Sequence, residues 1–227
     1  MWCIPTVGAA FVASMEEILE LYELDYDQDH PQVCLDEKSK QLLLQTREPV
    51  PVQPGRVARQ DYEYKRNGTL NLFVMVEPKG GYRHVMVTER RTDKDYAQVI
   101  KWLVDEGYPQ AEYIDIVQDN LNTHKPASLY ETFEPEEARR ILRKVRFHFT
   151  PKHASWLNMA EIEIGAIAEE CLKQRIGDKA ELIKQVAAVE ANRNKRGAMI
   201  KWQFTNVLAR CKLHRLYPII DTHISLD

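Results

Sequence analysis

The run Ile114–Asn122, IDIVQDNLN, constrains this chain more than any other stretch. Ile114, Ile116 and Val117 are apolar and β-branched, and Asp119 arrives just as Asn120 and Asn122 bring turn chemistry. That pattern predicts a buried strand ending with a carboxylate at the rim of a sheet. Ligands of open α/β sheets sit outside the carboxyl ends of strands, so Asp119 stands where chemistry is commonly done. The rest of the chain must supply Asp119 with partners.

Ahead of this strand, Ala13 to Tyr26 reads as a helix with Met15, Ile18, Leu19 and Tyr22 on one face. Residues 31–39, PQVCLDEKS, form a short strand that also ends in acid, at Asp36, and Gln41–Gln45 forms a short second piece. Residues 47–55, REPVPVQPG, are a Pro-rich loop, and Asn67-Gly68 predicts a tight turn. Leu70–Glu77 and Tyr82–Glu89 then pair as a hairpin around a turn at 78–81. A helix over Asp93–Gly107 has Thr92 or Asp93 as its cap. Beyond the opening strand come one or two helices over 126–142, interrupted near Pro135, and a short strand at Arg146–Thr150. From Asn158 a long helix carries Ile164, Ile167, Ala168 and Cys171 inward; Ala180–Lys195 is another, and Met199–Leu216 is mostly helical. This order predicts an α/β domain with a mixed sheet flanked by helices. Its parts are an N-terminal helical segment (1–29), a central domain (30–176) and a C-terminal helical extension of it (177–227).

At 227 residues, with 44% hydrophobic and 29% charged content, the chain has ample material for one core. No apolar run approaches the ~20 residues of a membrane span. Cys3, Cys34, Cys171 and Cys211 are far apart, which argues against a disulfide framework or zinc knuckle and for a cytoplasmic protein. Net charge is −3, but residues 1–138 carry 25 acidic against 14 basic side chains and residues 139–220 carry 17 basic against 7 acidic. A basic C-terminal half is a candidate face for a polyanion.

Three acids stand at element ends: Asp36, Asp119 and Glu161, the last in the first turn of the helix from Asn158. Three carboxylates meeting would repel, and Mg²⁺ is the hard cation that carboxylates and phosphate oxygens hold together. Two such ions ~3.5–4 Å apart serve phosphodiester displacement. Each acid has a plainer reading. Asp36 and Asp119 suit Asx turns, and Asn158 with Glu161 fits a capping box. Glu163, two positions on, points away from Glu161. There is no P-loop, G-x-S-x-G or G-x-G-x-x-G. His124, His148 and His153 match no zinc spacing and read as loop and strand residues or phosphate contacts. Tyr62, Tyr64, Trp156 and Trp202 suit core packing or base stacking.

The wording of several segments resembles the IS630-type transposases of the IS630/Tc1/mariner superfamily: CLDEKSKQLL, PGRVARQDYEY, GTLNLFVMVEP, HVMVTERRT, VQDNLNTHKPASLYETF, FHFTPKHASWLNMAEIEI and WQFT. The resemblance implies a DDE endonuclease domain with a ribonuclease H-like fold. It maps the catalytic, metal-binding acids onto Asp36, Asp119 and Glu161, choosing Glu161 over Glu163. It further implies Mg²⁺, with Mn²⁺ as a substitute and two ions in the site. DNA cleavage by water at transposon ends follows, then attack of a 3′-hydroxyl on target DNA. The expected partners are DNA and either a second copy or a separate helix-turn-helix polypeptide; no membrane is expected, and the localisation is cytoplasmic and nucleoid-associated. Lys38, Lys152 and His153 beside the acidic motifs are expected phosphate contacts.

Two departures from the family pattern stand out. The 41 residues between Asp119 and Glu161 exceed the usual spacing, with the extra length in ETFEPEEARRIL. Relatives also open with helix-turn-helix modules, whereas this chain opens near the catalytic domain. The alternative function is therefore a non-catalytic truncated remnant that binds DNA or pairs with intact transposase.

Overall fold

A computed structural model of the chain describes residues 8–47, 54, 55, 57, 61–121 and 124–217. The opening residues 1–7, most of the Pro-rich loop 47–55, and Asn122 lie outside the described residues. The spine of the fold is β1 (Gln32–Gln45), flanked by β2 (Tyr64–Glu77) and β4 (Ile114–Gln118), with β3 (Tyr82–Thr88) and β5 (Val145–Phe149) at the edges of a five-stranded sheet. The order is β3-β2-β1-β4-β5. Strands β1, β2 and β3 run antiparallel, and β4 and β5 run parallel to β1. Every residue of β4 is buried, as an inner strand covered on both faces requires.

Alternation along the strands divides the core. Val33, Leu35, Phe73, Met75, Ile114 and Ile116 face α2 (Asp93–Trp102), α3 (Ala127–Thr132) and α4 (Pro135–Leu142), which contribute Tyr96, Ile100, Leu129 and Ile141. On the other face Cys34, Val76 and Val117 pack under α1 (Ala9–Glu23) through Met15, Ile18, Leu19 and Tyr22. Further along that face, Leu42, Leu72, Val74 and Val85 meet Ile164 and Ile167 of α5 (Ala160–Ile167) and Leu182 and Val186 of α6 (Lys179–Lys195). Each fully buried aliphatic side chain contributes roughly 1.5–3 kcal/mol relative to exposure.

Several local expectations change. Gln41–Gln45 is not a separate piece but the far end of β1, past a register shift between Gln41 and Leu43. Opposite that shift lie Asn67 and Gly68, so this pair marks a bulge inside β2 rather than a tight turn. Gly68 takes φ +88°, and the Asn67 side-chain amide donates to the Gly177 carbonyl at 2.7 Å. The helix expected through Gly107 is α-helical only to Trp102 and continues as a π-helical turn, Leu103–Gly107. Thr92 and Asp95 cap its start reciprocally in a capping box. Between Met199 and Leu216, helix is confined to α7 (Asn206–Lys212) and a 3₁₀ turn at His214–Leu216. Cys34, Cys171 and Cys211 are free thiols, and no helix among the described residues is long and apolar enough to cross a membrane.

Candidate active site

Strands β1 and β4 pair in parallel as far as Cys34 opposite Val117. Carrying that register two residues further sets Asp36 beside Asp119, on strands ~4.8 Å apart. Both carboxylates share the pleat face of Cys34 and Val117, the face that α1 covers. Burial raises the Asp36 carboxyl to about 6; the negative charges of Glu161 and Asp119 push the same way, against its bond from the Glu37 amide at 2.7 Å and the charge of His124. Glu161 and Asp119 are thus both near enough for their charges to reach Asp36.

Glu161 arrives from the helix side. The Asn158 side-chain amide donates to the Leu35 carbonyl at 2.8 Å and reaches Asp36 Oδ2 at 3.5 Å, while its carbonyl oxygen accepts from the Ala160 amide at 3.1 Å. Asn158 is only 1% exposed, so these bonds tie the start of α5 to β1 at Leu35 and Asp36. The capping box expected from Asn158 and Glu161 does not form: the residue capping α5 is Met159, without a side-chain cap bond. Glu161 is thus left exposed instead of being turned back on its own helix.

A buried histidine completes the rim. His124 Nδ1 lies 2.6 Å from Asp119 Oδ1 and its Nε2 lies 2.8 Å from Glu37 Oε1. Its ring stacks on Tyr96, whose hydroxyl donates to Gln118 at 2.9 Å. Burial pushes the imidazole pKa down, but the hydrogen bonds to Asp119 and Glu37 outweigh it and raise the value to about 9. His124 thus bridges two carboxylates, and it fixes the orientation of Asp119. Sequence reasoning treated it as a loop residue and passed over Glu37. The usable signal was Glu37 itself, out of phase with Asp36 and in phase with Val33 and Leu35, so aimed at the face under α2, where a buried carboxylate needs a cation.

Of the expected phosphate contacts, Lys152 and His153 line a cleft of about 400 Å³ with Asp119, Asn120, Thr150 and Ser155. His153 has φ +68°, the single positive value outside glycine among the described residues. Lys38 is exposed on β1, two residues beyond Asp36 and on the same pleat face. His148 is engaged elsewhere, with Glu17 at 2.8 Å and Asp115 at 2.9 Å. Trp156 and Trp202 pack against the core beneath α1, whereas Tyr62 is exposed.

Among the described residues, no group of three or more His, Cys, Asp or Glu side chains closes into a shell able to hold a metal ion. The donor set nonetheless fits a hard divalent cation. Asp36, Asp119 and Glu161 offer oxygen alone, and their mutual repulsion is what such a cation relieves. Mg²⁺ needs only one or two carboxylates, the remaining positions going to water and substrate phosphate.

Residues 31–183 match the family described as DDE superfamily endonuclease. No curated protein matches the sequence. Among solved structures, the Mos1 transposase paired-end complex with left transposon end aligns at a TM-score of 0.56 and 17% identity, covering 87% of this chain and 61% of that one. The Mos1 mariner paired end complex with Mn aligns at 0.55 and 17%, over 87% and 61%. The Mos1 strand transfer complex aligns at 0.55 and 17%, over 83% and 56%. The chain thus spans no more than 61% of the length of these transposase chains. At this identity the likeness speaks to the fold, which is the ribonuclease H-like α/β sheet expected above.

Proposed function

This chain belongs to the DDE superfamily of endonucleases, and from that premise we propose that it is a transposase catalytic domain of the IS630 type, cleaving DNA at transposon ends and joining the 3′-hydroxyl to target DNA. One observation carries the reading: Asp36 and Asp119 lie just past the end of the parallel pairing between β1 and β4, on one face, and the charge of Glu161 reaches Asp36 from the first turn of α5. Asp36, Asp119 and Glu161 would hold two Mg²⁺ or Mn²⁺ ions. When bound, such ions lower the pKa of an attacking water or hydroxyl and stabilise the leaving oxygen.

The chain's own groups supply the rest. Asn158 sets Leu35 and Asp36 of β1 against the start of α5. His124, held between Glu37 and Asp119, keeps the Asp119 carboxylate turned to the rim. Lys152 and His153 bind backbone phosphates in the cleft beside Asp119, which positions the strand without reading its sequence. Lys38 serves the same purpose along β1. The DNA ends and target of the Mos1 complexes, and self-association on DNA, extend to this chain as part of the proposal.

Nicking of supercoiled plasmid tests the reading. It should require Mg²⁺ or Mn²⁺ and fall on the order of 10²-fold or more in Asp119→Asn, the loss of several kcal/mol of charge stabilisation. Nicking that survives chelation of the metal, or that persists at wild-type rate in Asp119→Asn, overturns it.

A further inference from the structure

Among the described residues, an ion cluster built on two fully buried side chains sits two residues from Glu161. Glu163 is 0% exposed and so is Arg83 of β3. Arg193 of α6 grips the Glu163 carboxylate through both oxygens, Nε to Oε1 at 2.6 Å and a terminal nitrogen to Oε2 at 2.9 Å. Arg83 Nε stands 3.3 Å from the same Oε1. Arg83 is itself held by the Gly81 carbonyl at 2.9 Å, by the Asn194 side chain at 3.2 Å and by the Ala198 carbonyl. Arg193 also reaches Glu170, on the π-helical turn that continues α5, at 3.3 Å. One carboxylate thus joins α5 to β3 and α6.

Two features point to a role beyond holding the fold together. First, a buried ion cluster gains little stability over apolar side chains of the same size, because desolvation offsets the attraction, whereas a two-pronged arginine–carboxylate grip fixes the direction of the side chain it holds. Second, residues 161 and 163 are roughly 200° apart on an α-helix. Clamping Glu163 toward β3 and α6 therefore leaves Glu161 on the opposite, exposed side of α5, at the end of the helix that Asn158 ties to Asp36.

We propose that Arg83, Glu163 and Arg193 form a rotational lock on α5, and that Glu163 is a positioning residue that presents Glu161 to the divalent cations shared with Asp36 and Asp119. The inference rests on the assignment of Glu161 as a metal-binding acid. Glu163 itself touches neither metal nor DNA.

The experiment measures Mn²⁺ affinity of the DNA-free protein by electron paramagnetic resonance of the unbound ion, alongside the thermal midpoint. Glu163→Gln should weaken Mn²⁺ binding about tenfold, the usual scale for groups that orient metal ligands, while a single folded transition persists. If Glu163→Gln does not fold, Arg193→Lys takes its place, since it keeps the charge and loses the two-pronged grip; the same weakening is expected. A purely structural role would lower the midpoint and leave Mn²⁺ affinity of the folded protein within about twofold of wild type, and that result overturns the lock. Glu161→Gln separates the two levels. Should it leave Mn²⁺ affinity and nicking intact, the metal assignment fails. Should it abolish both while Glu163→Gln and Arg193→Lys change neither, the lock alone fails.

Discussion

At the scale of single residues, the acids legible in the sequence are those whose neighbours lie close in the chain. Asp119 does stand just past the end of β4, but β1 runs on from Asp36 to Gln45, so Asp36 ends only the buried apolar start of its strand. Glu163 was set aside as pointing away from Glu161, which is correct; its burial against Arg83 and Arg193 depends on residues 80 and 30 positions distant. Glu77 is a second acid that no local pattern exposes. It is 5% exposed at the end of β2, its Oε1 has no hydrogen-bond partner, and Tyr108 donates to Oε2 at 3.4 Å. Burial raises its pKa to about 7 from 4.5. The folded chain thus holds this proton more tightly than the unfolded chain, so the contribution of Glu77 to stability declines as pH rises from 4.5 through 7. Glu77→Gln should therefore be more stable than wild type by about 1–2 kcal/mol at pH 8, with the gap closing toward pH 4.5. Urea melts at the two pH values check this; a gap that does not depend on pH would show that folding leaves the pKa of Glu77 unchanged.

At the scale of elements, periodicity and capping located most helices and all five strands, because apolar spacing and caps are local quantities. What escaped was the length of β1 and β2. Asn67-Gly68 looks like a hairpin turn, yet both strands run on past it, because a two-against-one bulge accommodates the glycine without ending the ladder. Turn chemistry and bulge chemistry ask for the same left-handed glycine, so the dipeptide alone does not separate them. The structure distinguishes two such glycines by their surroundings. At Gly68, φ +88°, an added Cβ meets nothing within 4 Å, so Gly68→Ala costs only backbone strain, about 1–2 kcal/mol. At Gly81, φ +67°, the same Cβ would stand 2.9 Å from the backbone carbon of Gly197, where the β2–β3 turn meets the end of α6. Gly81→Ala should cost at least ~1 kcal/mol more than Gly68→Ala, from overpacking added to strain. Denaturant midpoints of the two variants, measured side by side, test that order; equal losses would mean that the turn moves away from Gly197 freely.

At the scale of the whole molecule, the opposed charges of the two halves of the chain are in good part spent on each other. Arg140 pairs with Asp105 at 2.8 Å, Arg210 with Glu16 at 2.8 Å and Lys179 with Glu89 at 2.8 Å, each bond joining the basic half to the acidic half. Arg146 lies 3.3 Å from the ring centre of Tyr113, and Arg175 donates to the backbone carbonyls of Asp61 and Tyr62. A net count of basic residues therefore overstates what this half offers to a polyanion, and no linear sum along a sequence reveals such folding-back. DNA affinity on the proposed reading should depend on particular cations beside the acids, Lys152 foremost, since it lines the cleft that Asp119 closes. Neutralising a phosphate releases condensed counterions, so the logarithm of affinity falls linearly with the logarithm of salt concentration, by about 0.9 per phosphate contacted on duplex DNA. Lys152→Ala should weaken binding by a similar factor on unrelated duplexes and make that slope shallower by about 1. Arg140→Ala, which removes a cation already paired with Asp105 and Glu137, should leave the slope unchanged. Fluorescence anisotropy across a salt series with Ca²⁺ in place of Mg²⁺ distinguishes the two. A slope shifted equally by both variants would mean that DNA senses the summed charge of the basic half, and that the cleft beside Asp119 does not direct the strand.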